Sequence, residues 1–122
     1  RGTESVLVVD DEIALLLLSE EILTRAGYRV TTAKSGESAL QKLEKSTFDL
    51  LLSDVIMPGM SGYSLAKEAR EKYPDMKIQL VSGYDSNVPA SEEDAALKNR
   101  LLGKPFGDIK LLRTIRMLLN EK

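Results

Sequence analysis

At 122 residues the chain fits one domain, near the commonest domain size. Hydrophobic residues make up 43% and charged residues 30%, and 17 Lys plus Arg against 19 Asp plus Glu leave a net charge of −2. That balance gives no electrostatic reason to expect nucleic acid or an acidic membrane as a direct partner. The absence of Cys excludes disulfides and thiolate metal sites. No apolar run approaches the ~18 residues needed to cross a bilayer, so no membrane insertion is expected. His is also absent, so a His base, a His metal ligand or a phosphohistidine must come from another chain or domain. The chain starts at Arg1 rather than Met, as a domain cut from a longer protein or a trimmed tag would.

Short apolar runs alternate with longer amphipathic stretches. Ser5 to Val9 reads as a strand ended by Asp10-Asp11, and Ile13 to Ala26 as a helix, with Gly27 where a left-handed C-terminal residue is wanted. On a helical wheel Leu15, Leu18, Ile22, Leu23 and Ala26 share the side expected to face the core, with Leu17 nearly opposite and Ile13 near it. Tyr28 to Ala33 is a second strand. Ser35 is placed to cap a helix running to about Lys45, with Ala39, Leu40 and Leu43 inward.

Phe48 to Ser53 is nearly continuous apolar sequence, as expected of a strand buried on both faces. Met57-Pro58-Gly59-Met60-Ser61-Gly62 reads as a loop. Leu65, Ala66, Ala69 and Tyr73 mark a third helix, and Lys77 to Ser82 a fourth strand. Asp85 to Lys98 is polar and interrupted by Pro89, so its helix is expected to be short, about Ser91 to Leu97. Arg100 to Gly103 is a brief fifth strand. The last helix starts near Gly107 or Asp108 and carries Leu111, Leu112, Ile115, Leu118 and Leu119 on one face.

Five strands alternating with five helices imply an α/β fold, a doubly wound parallel sheet covered on both faces, because parallel strands need crossover connections. Right-handed crossovers leave few topologies, and the flavodoxin-like order 2-1-3-4-5 is a common one. In such sheets chemistry belongs at the carboxyl ends of the strands. There the first strand ends in Asp10 and Asp11, the third in Asp54 and the fourth in Ser82, and Lys104 and Pro105 follow the fifth.

Three carboxylates converging at one edge repel unless a cation or protons intervene. Oxygen-only ligands suit a hard ion such as magnesium, which usually takes one or two carboxylates and keeps several waters. Phosphoryl transfer needs a nucleophile, a metal and donors for the charge on the equatorial oxygens. Asp54, on the central strand, is the expected nucleophile, since carboxylates form acyl phosphates. Asp11 is expected to hold the metal directly and Asp10 at least partly through water. The Ser82 hydroxyl and Lys104 ammonium are expected to bind phosphoryl oxygens.

Each part has a bland counterpart: an Asp pair after a strand is often a helix cap, and an Asp before Pro-Gly is often turn chemistry. A strand-end Ser is usually a satisfied hydroxyl and Lys-Pro a solvated turn. Their joint placement at one sheet edge outweighs these readings.

From Val6-Leu7-Val8-Val9-Asp10-Asp11-Glu12 through Ser53-Asp54-Val55-Ile56-Met57-Pro58-Gly59-Met60-Ser61-Gly62 and Ser82-Gly83-Tyr84 to Lys104-Pro105-Phe106, the whole chain resembles the receiver domains of two-component response regulators. The loops look most like those of receivers attached to hybrid sensor histidine kinases. The resemblance implies a CheY-like (βα)5 domain over 1–122 in which Asp54 takes phosphate, with Mg2+, from a phosphohistidine on a histidine kinase or histidine phosphotransfer domain. The phosphorylated state would then regulate an output or relay phosphate onward. It further implies that the Ile56 carbonyl is a metal ligand, that the Lys104–Pro105 bond is cis, and that the domain is cytoplasmic and a monomer or weak homodimer. Output in the family passes through the fourth helix, fifth strand and fifth helix.

Two departures bear on output. Leu101 stands three residues before Lys104, where the family usually has Tyr or Phe as a switch, and the segment Asp85–Lys98 suggests a weak fourth helix. Leu17 and Ile13 suggest a small apolar docking patch for helices presenting a phosphohistidine, against the reading of an incidental exposed Leu. Ile56 and Tyr84, expected to flank the acyl phosphate, are poorly suited to orient an attacking water, which points to slow self-dephosphorylation.

Three alternatives stand beside this reading. A Mg2+-dependent phosphatase with an aspartyl nucleophile typically has a second Asp two residues on, where this chain has Ile56. A flavin-binding protein of similar fold would meet an acidic first loop. An interaction module of the same fold that is never phosphorylated would not need Asp10, Asp11, Asp54, Ser82 and Lys104 together.

Overall fold

The computed structural model describes residues 4–82, 102–103 and 107–121. The elements are β1 (Ser5–Val9), α1 (Ile13–Arg25), β2 (Arg29–Ala33), α2 (Gly36–Lys45), β3 (Leu50–Asp54), α3 (Gly62–Lys72), β4 (Lys77–Ser82), β5 (Leu102–Gly103) and the C-terminal helix, α4 (Asp108–Asn120). All strand pairs are parallel, and the sheet order is β2-β1-β3-β4-β5, which puts β3 at the centre. The flavodoxin-like arrangement expected from the alternation is present. The short fourth helix expected at Ser91 to Leu97 lies outside the described residues, as does the Arg100–Leu101 start of the fifth strand.

Strand periodicity splits the core into two layers. Val6, Val8, Leu50 and Leu52 face α1 and α4, where they meet Leu16, Leu23, Leu111, Ile115 and Leu118. Leu7, Val9 and Leu51 face the opposite side, where they meet Ala39 and Leu43 of α2 and Leu65 and Ala69 of α3. Every residue of β3 is buried, as its continuous apolar run requires. Truncating one of these leucines to Ala would cost roughly 2–5 kcal/mol.

Local signals set the boundaries. Ser35 caps α2 by accepting the Ser38 amide at 3.1 Å, and Ser61 caps α3 by accepting the Ser64 amide at 3.1 Å. Gly27 ends α1 with φ of 101°, the left-handed conformation a glycine adopts without strain. The third strand starts later than expected, at Leu50, and includes Asp54; Phe48 is instead buried in the loop ahead of it.

Helix α1 is rotated from its expected setting. Its buried positions are Leu16, Ser19 and Leu23, while Leu15, Ile22 and Ala26 are half-buried and Leu18 is 46% exposed. Wheel geometry located the apolar side only to within about one residue, because the leucine run from Leu15 to Leu18 offers two nearly equivalent stripes. Ile13 and Leu17 are exposed, as expected.

Candidate functional site

Parallel pairing brings the ends of the central strands level. Val9 pairs with Ser53 across β1 and β3, and Asp54 pairs with Val81 across β3 and β4. Asp10 therefore follows β1 beside Asp54, and Ser82 lies one residue beyond Asp54's partner. The Val55 amide donates to the Val81 carbonyl at 2.9 Å and the Asp10 amide to the Ala33 carbonyl at 3.2 Å, so the backbone on both sides of the site is held.

Asp10 and Asp54 are buried, 7% and 6% exposed, and Ser82 is also buried. One carboxylate oxygen from each of Asp10, Glu12 and Asp54 lies within 4.8 Å of the others. Glu12 is the N-cap of α1, yet its side chain makes no capping bond; its amide donates instead to Asp10 Oδ1 at 2.9 Å. The reading of Asp10-Asp11 as a simple helix cap is thus replaced by a turn in which Asp10 anchors the start of α1. Asp11 is exposed and stands outside the trio. Glu12 was not singled out from sequence; its signal is its place two residues past a strand-end Asp, where the turn lets its side chain reach back.

The loop after β3 is fixed from two sides. Gly59 has φ of +79°, and Met60 lies so close over Gly36 that a β-carbon there would meet its Sδ at 2.8 Å. Ile56 in this loop, two residues past Asp54, is 43% exposed while Met57 is buried. Lys104, Pro105, Tyr84 and Leu101 lie outside the described residues.

Three oxygen donors gathered beside a buried strand end suit a hard divalent cation far better than a soft metal. Carboxylates this close repel one another, and a cation bound among them would offset that repulsion.

The family model of the response regulator receiver domain matches residues 6–116. The chain belongs to the response regulator receiver family. This receiver domain is 37% identical to the sensor kinase CckA of Brucella abortus, over 99% of its own length but 13% of the kinase's. It is 34% identical to the response regulator receiver protein CpdR of the same organism, over 93% of its own length and 95% of CpdR's. Among solved structures, the response regulator TrrA of Thermotoga maritima, in complex with Mg2+-BeF, superposes with a TM-score of 0.83 at 34% identity, covering 95% of this chain and 99% of TrrA. The domain is therefore a module of two-component signalling with the flavodoxin-like fold of its family. Among its described residues no helix is long and apolar enough to cross a membrane.

Proposed function

We propose that this receiver domain accepts a phosphoryl group on Asp54. The observation that carries the reading is the gathering of the Asp10, Glu12 and Asp54 carboxylates at the carboxyl end of the central strand, with Asp54 buried and aligned by β1 and β4. Asp10 and Asp54, with Asp11 and the Ile56 carbonyl, would hold Mg2+, and Glu12 adds a further acidic oxygen. The ion would neutralise the acidic pocket and offer coordination to phosphoryl oxygens. Ser82, buried one strand over, would donate its hydroxyl to a phosphoryl oxygen, and Lys104 would supply the balancing positive charge.

The donor is a phosphohistidine on a histidine kinase or histidine phosphotransfer domain, since this chain has no His. The P–N bond breaks, its electron pair stays on the imidazole, and an Asp54 carboxylate oxygen forms the new P–O bond. The complete (βα)5 alternation, a cytoplasmic setting and a monomeric or weakly dimeric state belong to the same reading, as does attachment to a kinase or to a separate output. The kinase relative's length beyond the matched 13% leaves both arrangements compatible with this sequence. The test is labelling by acetyl phosphate with Mg2+. Wild type is expected to label and Asp54→Asn not to; labelling of the Asn variant would overturn the assignment.

A further inference from the structure

Gly36 opens α2 with a backbone that asks nothing of a glycine: among the described residues only Gly27 and Gly59 have positive φ. Alanine at such a position is ordinarily the better helix former. What excludes it is Met60. A β-carbon on Gly36 would lie 2.8 Å from Met60 Sδ, 2.9 Å from its Cβ and 3.0 Å from its Cγ. Rotating the Met60 side chain carries Sδ and Cγ away but leaves Cβ, which moves only with the backbone. Helix α2 cannot retreat instead, because Ala39 and Leu43 hold it in the core layer. Relief to an ordinary carbon–carbon contact of roughly 3.5–4.0 Å therefore displaces the loop after β3 by about half an ångström or more.

That loop is short and held at both ends. It leaves the sheet at Asp54 and enters α3 at Gly62, whose amide donates to the Val55 carbonyl at 2.8 Å. Met57 and Met60 pack into the same core layer, and Pro58 between them has a fixed φ. Glu37, the next residue of α2, has a carboxylate oxygen 3.3 Å from where a β-carbon on Gly59 would lie. Two successive residues of α2 thus bear on two successive residues of the loop. Ile56 lies between the strand end and this clamp, so its backbone is set by where the clamp holds the loop.

We propose that Gly36 and Met60 are positioning residues for Mg2+: the contact between them sets the height of the loop, and so the place of the Ile56 carbonyl at the metal site. The inference rests on the reading above in which that carbonyl is a metal ligand. Mg2+ takes oxygen ligands at about 2.1 Å in a near-ideal octahedron, so a carbonyl moved by about half an ångström is exchanged for water. Helix α2 thereby takes part in metal binding without carrying a ligand.

The test is a Mg2+ titration without phosphodonor, followed by the Glu12 and Val55 amide resonances across a double-mutant cycle. Gly36→Ala should raise the half-saturating Mg2+ concentration roughly tenfold, the lower end of what loss of a ligand-orienting contact costs. Met60→Gly removes all three atoms in the way, so adding Gly36→Ala to it should move half-saturation no further. A domain that was merely destabilised would lose signal amplitude at an unchanged half-saturation. An unchanged half-saturation in Gly36→Ala, or an equal rise in both backgrounds, would overturn the positioning role and leave the metal reading intact. Absence of any Mg2+-dependent shift in wild type would overturn that reading itself, and the positioning role with it.

Discussion

Gly62 starts α3 directly against the backbone of Asp54: a β-carbon at position 62 would lie 2.2 Å from the Asp54 carbonyl oxygen and 2.8 Å from the Val55 α-carbon. The Gly62 amide donates to the Val55 carbonyl at 2.8 Å, so helix and strand end are joined as well as touching. Both atoms in the way are backbone, and neither can swing aside. Gly62→Ala should therefore destabilise the fold by about 1–3 kcal/mol, the usual range for overpacking, and should also slow acetyl phosphate labelling because Asp54 itself must shift. Urea unfolding measures the first effect and initial labelling rates measure the second. Wild-type values for both would mean that α3 moves away as a rigid body.

Asp54 and Leu101 separate phosphorylation from its readout. Asp54→Asn should abolish labelling by acetyl phosphate, and removing Mg2+ with a chelator should do the same in wild type. Leu101→Tyr should leave labelling intact, since position 101 is not among the residues expected to touch the phosphoryl group. Loss of labelling in Leu101→Tyr would show that the residue before the fifth strand shapes the pocket.

Leu17 is 56% exposed on α1, with Ile13 one turn before it at 52%, so this face of the helix carries a small apolar surface. Leu17→Glu should slow phosphotransfer from a cognate phosphohistidine donor while acetyl phosphate labelling stays at the wild-type rate. Equal transfer rates would reduce these residues to incidental surface leucines.

Ile56, two residues past Asp54, is half exposed, and its side chain cannot hydrogen-bond a water into line for attack. The acyl phosphate should accordingly be long-lived, and Ile56→Asn should shorten its lifetime by supplying a side-chain amide there. A wild-type lifetime of only seconds, followed by loss of label after donor removal, would contradict this.

Arg116 ties α4 to the opposite end of the sheet. Its guanidinium lies 2.8 Å from a Glu4 carboxylate oxygen and 2.9 Å from the Tyr28 hydroxyl, and 5.5 Å from the Tyr28 ring centre. The Glu4 hydrogen bond, then that to Tyr28, raise its pKa. A raised cationic pKa contributes stability fully present below the unfolded-chain value and lost only as pH rises through the folded one. Both lie above working pH, so Arg116→Ala should cost about 1 kcal/mol equally at roughly pH 6 and pH 9. A loss that differed between the two pH values would point to another titrating group.

Most of the site was legible because its residues end strands. Asp10, Asp54 and Ser82 each follow an apolar run, and parallel strands bring such ends to one edge whatever the details of packing. Glu12 was harder to see. Whether a helix-start carboxylate caps its own helix or turns toward a neighbouring strand depends on where that strand lies.

The alternation of strands and helices, the parallel sheet and the placement of Asp54 on its central strand were determined by the sequence itself, through hydrophobic periodicity, Gly and Pro at the turns, and Ser at two helix caps. Tertiary structure alone decided the rest. It set whether Leu16 or Leu18 faces the core, which carboxylates meet, that Gly62 abuts Asp54, and that Arg116 reaches Glu4. Periodicity is a property of one element at a time, whereas each of these depends on the rotation and approach of two elements, and those are fixed only when the whole core packs.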